Sequence, residues 1–150
     1  MTGVEIRRVR PGEERAWLSA VVTILDEEDR DGTLATEAEV ARALEDSRCI
    51  LLLAFAGGEA VGLLSAYVFP DVAGGGRLAY LYDIEVLESH QRAGVGAGLI
   101  RALESACGEQ SVKLIWAGTE ADNIAARRTF ERTGAELEGD SYAEYEWDLA

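Results

Sequence analysis

The chain reads as one mixed α/β domain. Three observations lead there: apolar runs and period-two alternation recur along it, four segments carry apolar residues at helical spacing, and the two patterns interleave in the order β-α-α-β-β-β-α-β-α-β-β without an internal repeat. With 150 residues and 48% hydrophobic content the chain can bury one sizeable core, so residues 1–150 are read as a single domain.

Each element has a local reason. "VEIRRVR" alternates as a strand, and Pro11-Gly12 breaks it before "EERAWLSAVVTILDEE", which is apolar at helical spacing. The charged loop "DEEDRDGT" follows, and Thr36 with Glu39 forms a capping box that opens a helix through "EAEVARALED". "CILLLAF" is a buried strand, Gly57-Gly58 a hairpin turn, and "AVGLLSAYVF" the returning strand, ended by Pro70. Beyond the loop "DVAGGG", "RLAYLYDIEV" is a long strand rich in aromatic and branched residues. "LIRALESAC" reads as a helix, "VKLIWAG" as a strand, and "DNIAARRTFERTG" as a helix capped by Asp122 or Asn123 and stopped by Gly134. "AELEGDSYAEYEWDLA" reads as a final pair of strands, with Trp116 and Trp147 expected in the core.

Composition narrows the function. Two cysteines and one histidine are too few for a disulfide framework or a zinc cluster, so free thiols in a reducing cytoplasm and no metal site are expected. No apolar run reaches the length of a membrane span, and "MTGVEIRRVRPGEE" lacks the apolar core of a signal peptide. A net charge of −14, from 28 acidic and 14 basic residues, repels nucleic acid and attracts polycations.

The densest signal is "SHQRAGVGAGL", with glycines at 94, 96 and 98. Glycine disfavours a helix interior by roughly 1 kcal/mol, so three together need a cause. A strand ending at Val86, a short loop and a helix opening on Gly94 and Gly96 leave free N–H groups suited to an anion, phosphate above all. The P-loop is excluded because no Gly-Lys-Ser/Thr follows, and the dinucleotide fingerprint because Leu99 stands where its third glycine belongs. Asp83 and Glu85, two apart on a strand, share a face roughly 6.6 Å apart by strand rise. Such a pair raises the pKa of its members and draws an ammonium group. Glu88, Ser89 and His90 are set aside as a relay, because three consecutive residues cannot face one another.

Gln91-Arg92-Ala93-Gly94-Val95-Gly96 resembles the pyrophosphate loop Gln/Arg-x-x-Gly-x-Gly/Ala of the GNAT superfamily of N-acetyltransferases, and follows the fourth strand as in that family. Asn123-x-x-Ala126-x-x-x-Phe130-x-x-x-Gly134 is similar to its next motif. "LYDIEV" and "HQRAGVGAGLI" further resemble the GNAT-type aminoglycoside 3-N-acetyltransferases, with Tyr82-Asp83 matching their Tyr-Asp pair, Glu120 their acid after the fifth strand and Glu146 their acid in the last strand.

The resemblance implies the GNAT fold, a mixed, mostly antiparallel sheet flanked by about four helices. It implies acetyl-CoA as cofactor, with pyrophosphate on the N–H groups of residues Gln91, Arg92, Ala93, Gly94, Val95, Gly96 and Ala97, and the pantetheine arm beside the Ile84 and Val86 backbones. Asn123 and Phe130 join the cofactor side. The Val86 N–H is the natural oxyanion donor and Asp83 the base, with Glu120 next in line. Tyr82, Glu85, Glu120, Asp122, Glu144 and Glu146 are expected to bind a polycationic amine. Asp26, Glu27, Glu28, Asp29 and Asp31 read as a solvated charge run, with the rim of the same cleft as the other reading. At Phe130 the family usually has a tyrosine whose hydroxyl meets the departing sulfur, and phenylalanine cannot donate a proton. Acetylation of an aminoglycoside at its 3-amino group is the reading. Another small amine, a polyamine, a protein N-terminus or a non-catalytic acyl-CoA-binding domain stays open, and family habit suggests a homodimer.

Overall fold

The computed structural model describes residues 3–139 and 143–149. Five strands form one sheet in chain order, β1 (Val4–Arg8), β2 (Cys49–Ala56), β3 (Glu59–Pro70), β4 (Arg77–Val86) and β5 (Val112–Ala117). Neighbours from β1 to β4 are antiparallel, and β5 runs parallel to β4. The β2–β3 hairpin closes at Ala56 and Glu59 over Gly57 and Gly58, whose φ of 59° and 84° are the left-handed pair that a two-residue turn of type I′ requires.

Two helical layers use the two faces. Helix α1 (Glu14–Ile24) buries Trp17, Ala20, Val21 and Ile24, a 3-4-7 stripe, and with Val40 and Leu44 of α2 (Glu37–Leu44) packs on Leu51, Leu53 and Leu63. The Thr36–Glu39 capping box is present. On the other face α3 (Val95–Glu109) lays Val95, Leu99, Leu103 and Cys107 on Ile50, Leu52, Leu64, Ala79 and Leu81. Helix α4 (Ile124–Arg132) is capped by Asn123, whose side chain accepts from the Ala126 amide at 3.1 Å, which decides between the two expected caps. Residues 49–55 read as a continuous apolar run because alternate side chains serve the two layers.

Two expectations fail among the described residues. Residues 135–139 and 143–149 form no strand, so the final pair is absent there. Trp116 is 41% and Trp147 81% exposed, so neither is core. The cause for Trp116 is uneven cover: among the described residues α1 and α2 pack mainly on β2 and β3, and less on the same face of β4 and β5. A row of rings stands there, Tyr82 against Tyr67 and Tyr80 with centroids 6.0 and 6.2 Å apart, and Trp116 against Tyr80 and Phe69 at 5.1 and 5.5 Å. Cys49 and Cys107 are free thiols, and burial pushes Cys107 up to about 11. No helix among the described residues is long and apolar enough to cross a membrane.

Candidate active site

The site begins where two strands part. Pairing between β4 and β5 ends at Leu81–Ala117, whereas β3 accompanies β4 to Val86, so Tyr82–Val86 faces a gap on its β5 side. A bulge sits at the mouth: Ser65 pairs with Asp83 and the next residue, Ala66, with Leu81, which leaves Tyr82 as the extra residue. Past the bulge Asp83 and Glu85 stand opposite Ser65 and Leu63 and share the α1-side face, while Ile84 and Val86 pack toward α3.

The bonding pattern aims the backbone. The Leu87 amide donates to the Val61 carbonyl at 2.8 Å, so by antiparallel alternation Val86 opposite Gly62, and Ile84 opposite Leu64, turn N–H and C=O away from β3 and into the gap. The Val86 carbonyl already accepts from Gln91 Nε2 at 3.0 Å, and the Gln91 amide donates to Glu88. Gln91 therefore clamps the loop to the strand, and its amide is not among the free ones expected from the sequence. The Gly98 amide is the first of α3 to bond back, to Gly94 at 3.0 Å, so the N–H groups of Val95, Gly96 and Ala97 open the helix without an intrahelical partner.

The three glycines have three causes. Gly94 caps the helix at φ 81°, with open space where a side chain would go. A Cβ at Gly96 would lie 3.2 Å from Thr129 Cγ2 of α4, and one at Gly98 would lie 2.6 Å from Ile6 Cδ1 of β1. Internal packing thus explains two of them, and the expectation of an anion site rests on the free amides alone. Arg92 is exposed beside them in a left-handed conformation, φ 67°.

The acids carry the electrostatics. Burial pushes the Asp83 carboxyl above its ordinary value, the Ser65 hydroxyl, donating to Oδ2 at 3.3 Å, pulls it back, and the charge of Asp29 adds to the rise. Glu85 is pushed up by burial, then by Asp29, Asp26 and Asp83 in turn. Ser65, only 2% exposed, was not singled out from sequence, though it is the one polar side chain between two apolar stretches of "AVGLLSAYVF". Asp26 and Asp29 of the run after α1 are exposed, as the solvated reading has it, and their charges also reach the β4 acids. Their spacing in sequence gave no hint of which strand they would face.

Other expected residues lie elsewhere. Glu120 and Asp122 are exposed in the β5–α4 loop, where their carbonyls accept from the Asn123 and Ile124 amides. Glu144 and Glu146 are exposed outside the sheet. Tyr82 is 62% exposed beside Asp83. Phe130 packs half-buried against the α3-side core. Ser89 Oγ and His90 Nδ1 do meet, at 2.9 Å, contrary to the argument from adjacency, but both are surface groups of a short turn, Glu88–His90.

The β4 strand thus parts from β5 just before the chain enters α3, and free backbone N–H groups lie both on the strand past the gap and at the start of that helix. The acetyltransferase (GNAT) family model matches residues 13–135. No curated protein matches significantly. Among solved structures the chain is similar to an aminoglycoside acetyltransferase, meta-AAC0020, from an uncultured soil metagenomic sample, in complex with sisomicin: TM-score 0.85 at 18% identity, covering 99% of this chain and 97% of that one. It is similar to a second such enzyme from an uncultured soil metagenomic sample, HMB0005, with TM-score 0.83 at 21% identity, covering 98% and 99%. Similar too is AAC(6')-Iy in complex with the bisubstrate analogue CoA-S-monomethyl-acetylneamine, with TM-score 0.77 at 17% identity, covering 97% and 99%. At these identities the likeness is one of fold. The family match over most of the chain, together with a sheet that parts beside a glycine-capped helix, means that the chain belongs to the acetyltransferase (GNAT) family.

Proposed function

We propose that this acetyltransferase uses acetyl-CoA to acetylate an amine of a polycationic, ring-bearing acceptor, an aminoglycoside, at its 3-amino group. One observation carries the reading: Asp83 and Glu85 share one face of β4 beside the gap, the charges of Asp26 and Asp29 reach them, and both β4 carboxyls are pushed up by burial first and like charge second. Such a cluster draws ammonium groups, and a base of raised pKa suits proton removal. The exposed rings of Tyr67 and Tyr82 next to it offer an apolar face to a sugar ring, which a linear polyamine would not use.

The residues present fit the cofactor. The amides of Val95, Gly96 and Ala97 would hold its pyrophosphate, with Arg92 alongside, and the Ile84 and Val86 backbones would line its arm. When bound, acetyl-CoA supplies an activated acyl group. Asp83 takes the proton from the acceptor amine, directly or through a water, and Glu85, Asp26 and Asp29 orient the remaining ammonium groups. The Val86 N–H, already aimed into the gap, donates to the oxygen that gains negative charge. Phe130 has no proton to give, so the thiolate leaves as such or is protonated by solvent. The two free thiols suit a reducing cytoplasm.

Thiol release from acetyl-CoA against a panel of aminoglycosides, polyamines and peptide N-termini tests the reading. Turnover confined to the aminoglycosides, with the product acetylated at the 3-amino group, is the expected result. Turnover of polyamines alone overturns the acceptor, and CoA binding with no thiol release from any amine means a non-catalytic domain.

A further inference from the structure

Among the described residues the fold buries one polar side chain, Ser65, 2% exposed in the middle of β3. Its neighbours along the strand, Leu63, Leu64 and Ala66, are fully buried and apolar, and an alanine would continue the series without a hydroxyl to satisfy. The register explains the exception. Ser65 stands directly opposite Asp83, beside the bulge at Tyr82, and side chains of opposed residues start about 5 Å apart, so even a short hydroxyl reaches across the ladder. Its Oγ donates to Asp83 Oδ2 at 3.3 Å.

The surroundings of that carboxyl offer it no cation. The loop after α1 brings the charge of Asp29 to it and those of Asp26 and Asp29 to Glu85, its neighbour on the same face of β4, while β3 adds the Tyr67 phenol next along from Ser65. Helix α1 packs on this face through Trp17, Ala20, Val21 and Ile24, which do not titrate, and β5 stops short of it, at Ala117 opposite Leu81. The Ser65 hydroxyl is therefore the group that favours the ionised carboxylate here.

We infer that Ser65 is a positioning residue for Asp83: its hydroxyl holds Oδ2 against β3 and leaves Oδ1 to take the proton of the acceptor amine. The inference rests on Asp83 being the base of the proposed reaction. In that step the N–H bond breaks as an O–H bond forms on Oδ1, the electron pair stays on nitrogen, and Ser65 keeps its own proton. A neutral donor suits the task better than a cation would. An arginine or lysine would make the carboxylate a weak base, whereas a hydroxyl at 3.3 Å, long for an O–H···O bond, offsets only part of the effect of burial.

Ser65→Ala, which removes one atom from the full chain, tests this with two measurements. The acidic limb of the pH profile of kcat/KM for an aminoglycoside should move up by roughly half to one pH unit. Below the limb the variant should be about three- to tenfold slower than wild type, and above it the two should converge. Ser65→Cys, with its weaker S–H donor, should fall between them. Carbon-13 NMR of the aspartate carboxyls, with the Asp83 signal identified as the one lost in Asp83→Asn, should show the same upward shift without any substrate. An unshifted carboxyl, with Asp83→Asn still inactive, overturns the inference alone. A shifted carboxyl with an unmoved rate profile removes Asp83 as the base and overturns the inference with it. A loss of turnover equal at every pH marks a merely structural serine and overturns it too.

Discussion

On the donor side of the β4 gap the chain offers backbone, namely the amides of Val95, Gly96 and Ala97 and the inward-turned groups of Ile84 and Val86. On the acceptor side it offers side chains, Asp83 and Glu85 from β4 and Asp26 and Asp29 from the loop after α1. The donor side costs the fold little, because helix ends leave free amides anyway and two of its glycines serve packing. The acceptor side sets one half-buried acid, Asp83, among exposed acids of like charge, against the protein's stability. In the proposed function the first side works through geometry that folding already requires, and the second through charge that folding opposes.

Breaking the acceptor side should show both halves of that contrast. Asp83→Asn should lower turnover by roughly two to four orders of magnitude with an aminoglycoside acceptor, the loss expected of a general base. The same change should raise the melting temperature at neutral pH, by no more than about 4 °C because solvent screens a partly exposed group. The sign follows from the raised carboxyl: protonation favours the fold, so the wild type holds this stability below the ordinary carboxylate value and loses it as pH rises through the raised one. Turnover runs the other way, failing as pH falls through that raised value, while the Asn variant should lack the stability change. A thermal titration and a pH–rate profile measured together check the pair of signs.

Ala97→Glu tests the donor side without damaging the helix. An acid three residues past the cap suits a helix N-terminus, so the fold should hold, while CoA affinity by calorimetry should drop by about tenfold or more from lost dipole attraction and direct repulsion. Unchanged affinity would move the pyrophosphate elsewhere.

Salt should separate the sides less sharply. The Michaelis constant for a multiply charged acceptor should rise several-fold as the Debye length shrinks from about 10 Å at 0.1 M to about 3 Å at 1 M, and that for a singly charged amine should rise less. A flat response across the series would remove the acidic cleft from the argument.

The smallest effect belongs to a glycine with no task. Gly108 lies in α3 with nothing within 4 Å of a would-be Cβ, so Gly108→Ala should raise the melting temperature by about 2–4 °C and leave both kinetic constants alone. Gly98, facing Ile6, should not gain in the same way.

The five strands of the sheet, the four helices, the hairpin at Gly57-Gly58 and the cap at Thr36 were legible in the sequence, and the cap of α4 was narrowed there to Asp122 or Asn123, because periodicity, turn residues and capping act within a few residues of one another. The sequence also marked the α3 start and the Asp83–Glu85 pair, whose spacing on a strand is local. Tertiary contacts set which charges would reach that pair, those of Asp26 and Asp29, that Tyr82 would be the bulged residue and that β5 would leave β4 at Leu81. They also left Trp116 partly exposed beside Tyr80. Those outcomes depend on which segments become neighbours across tens of residues, and on whether a helix reaches far enough to cover a face. The alternation in residues 143–149 was readable as strand-forming, but a strand exists only where an edge receives it, and pairing is a property of two segments, not of one.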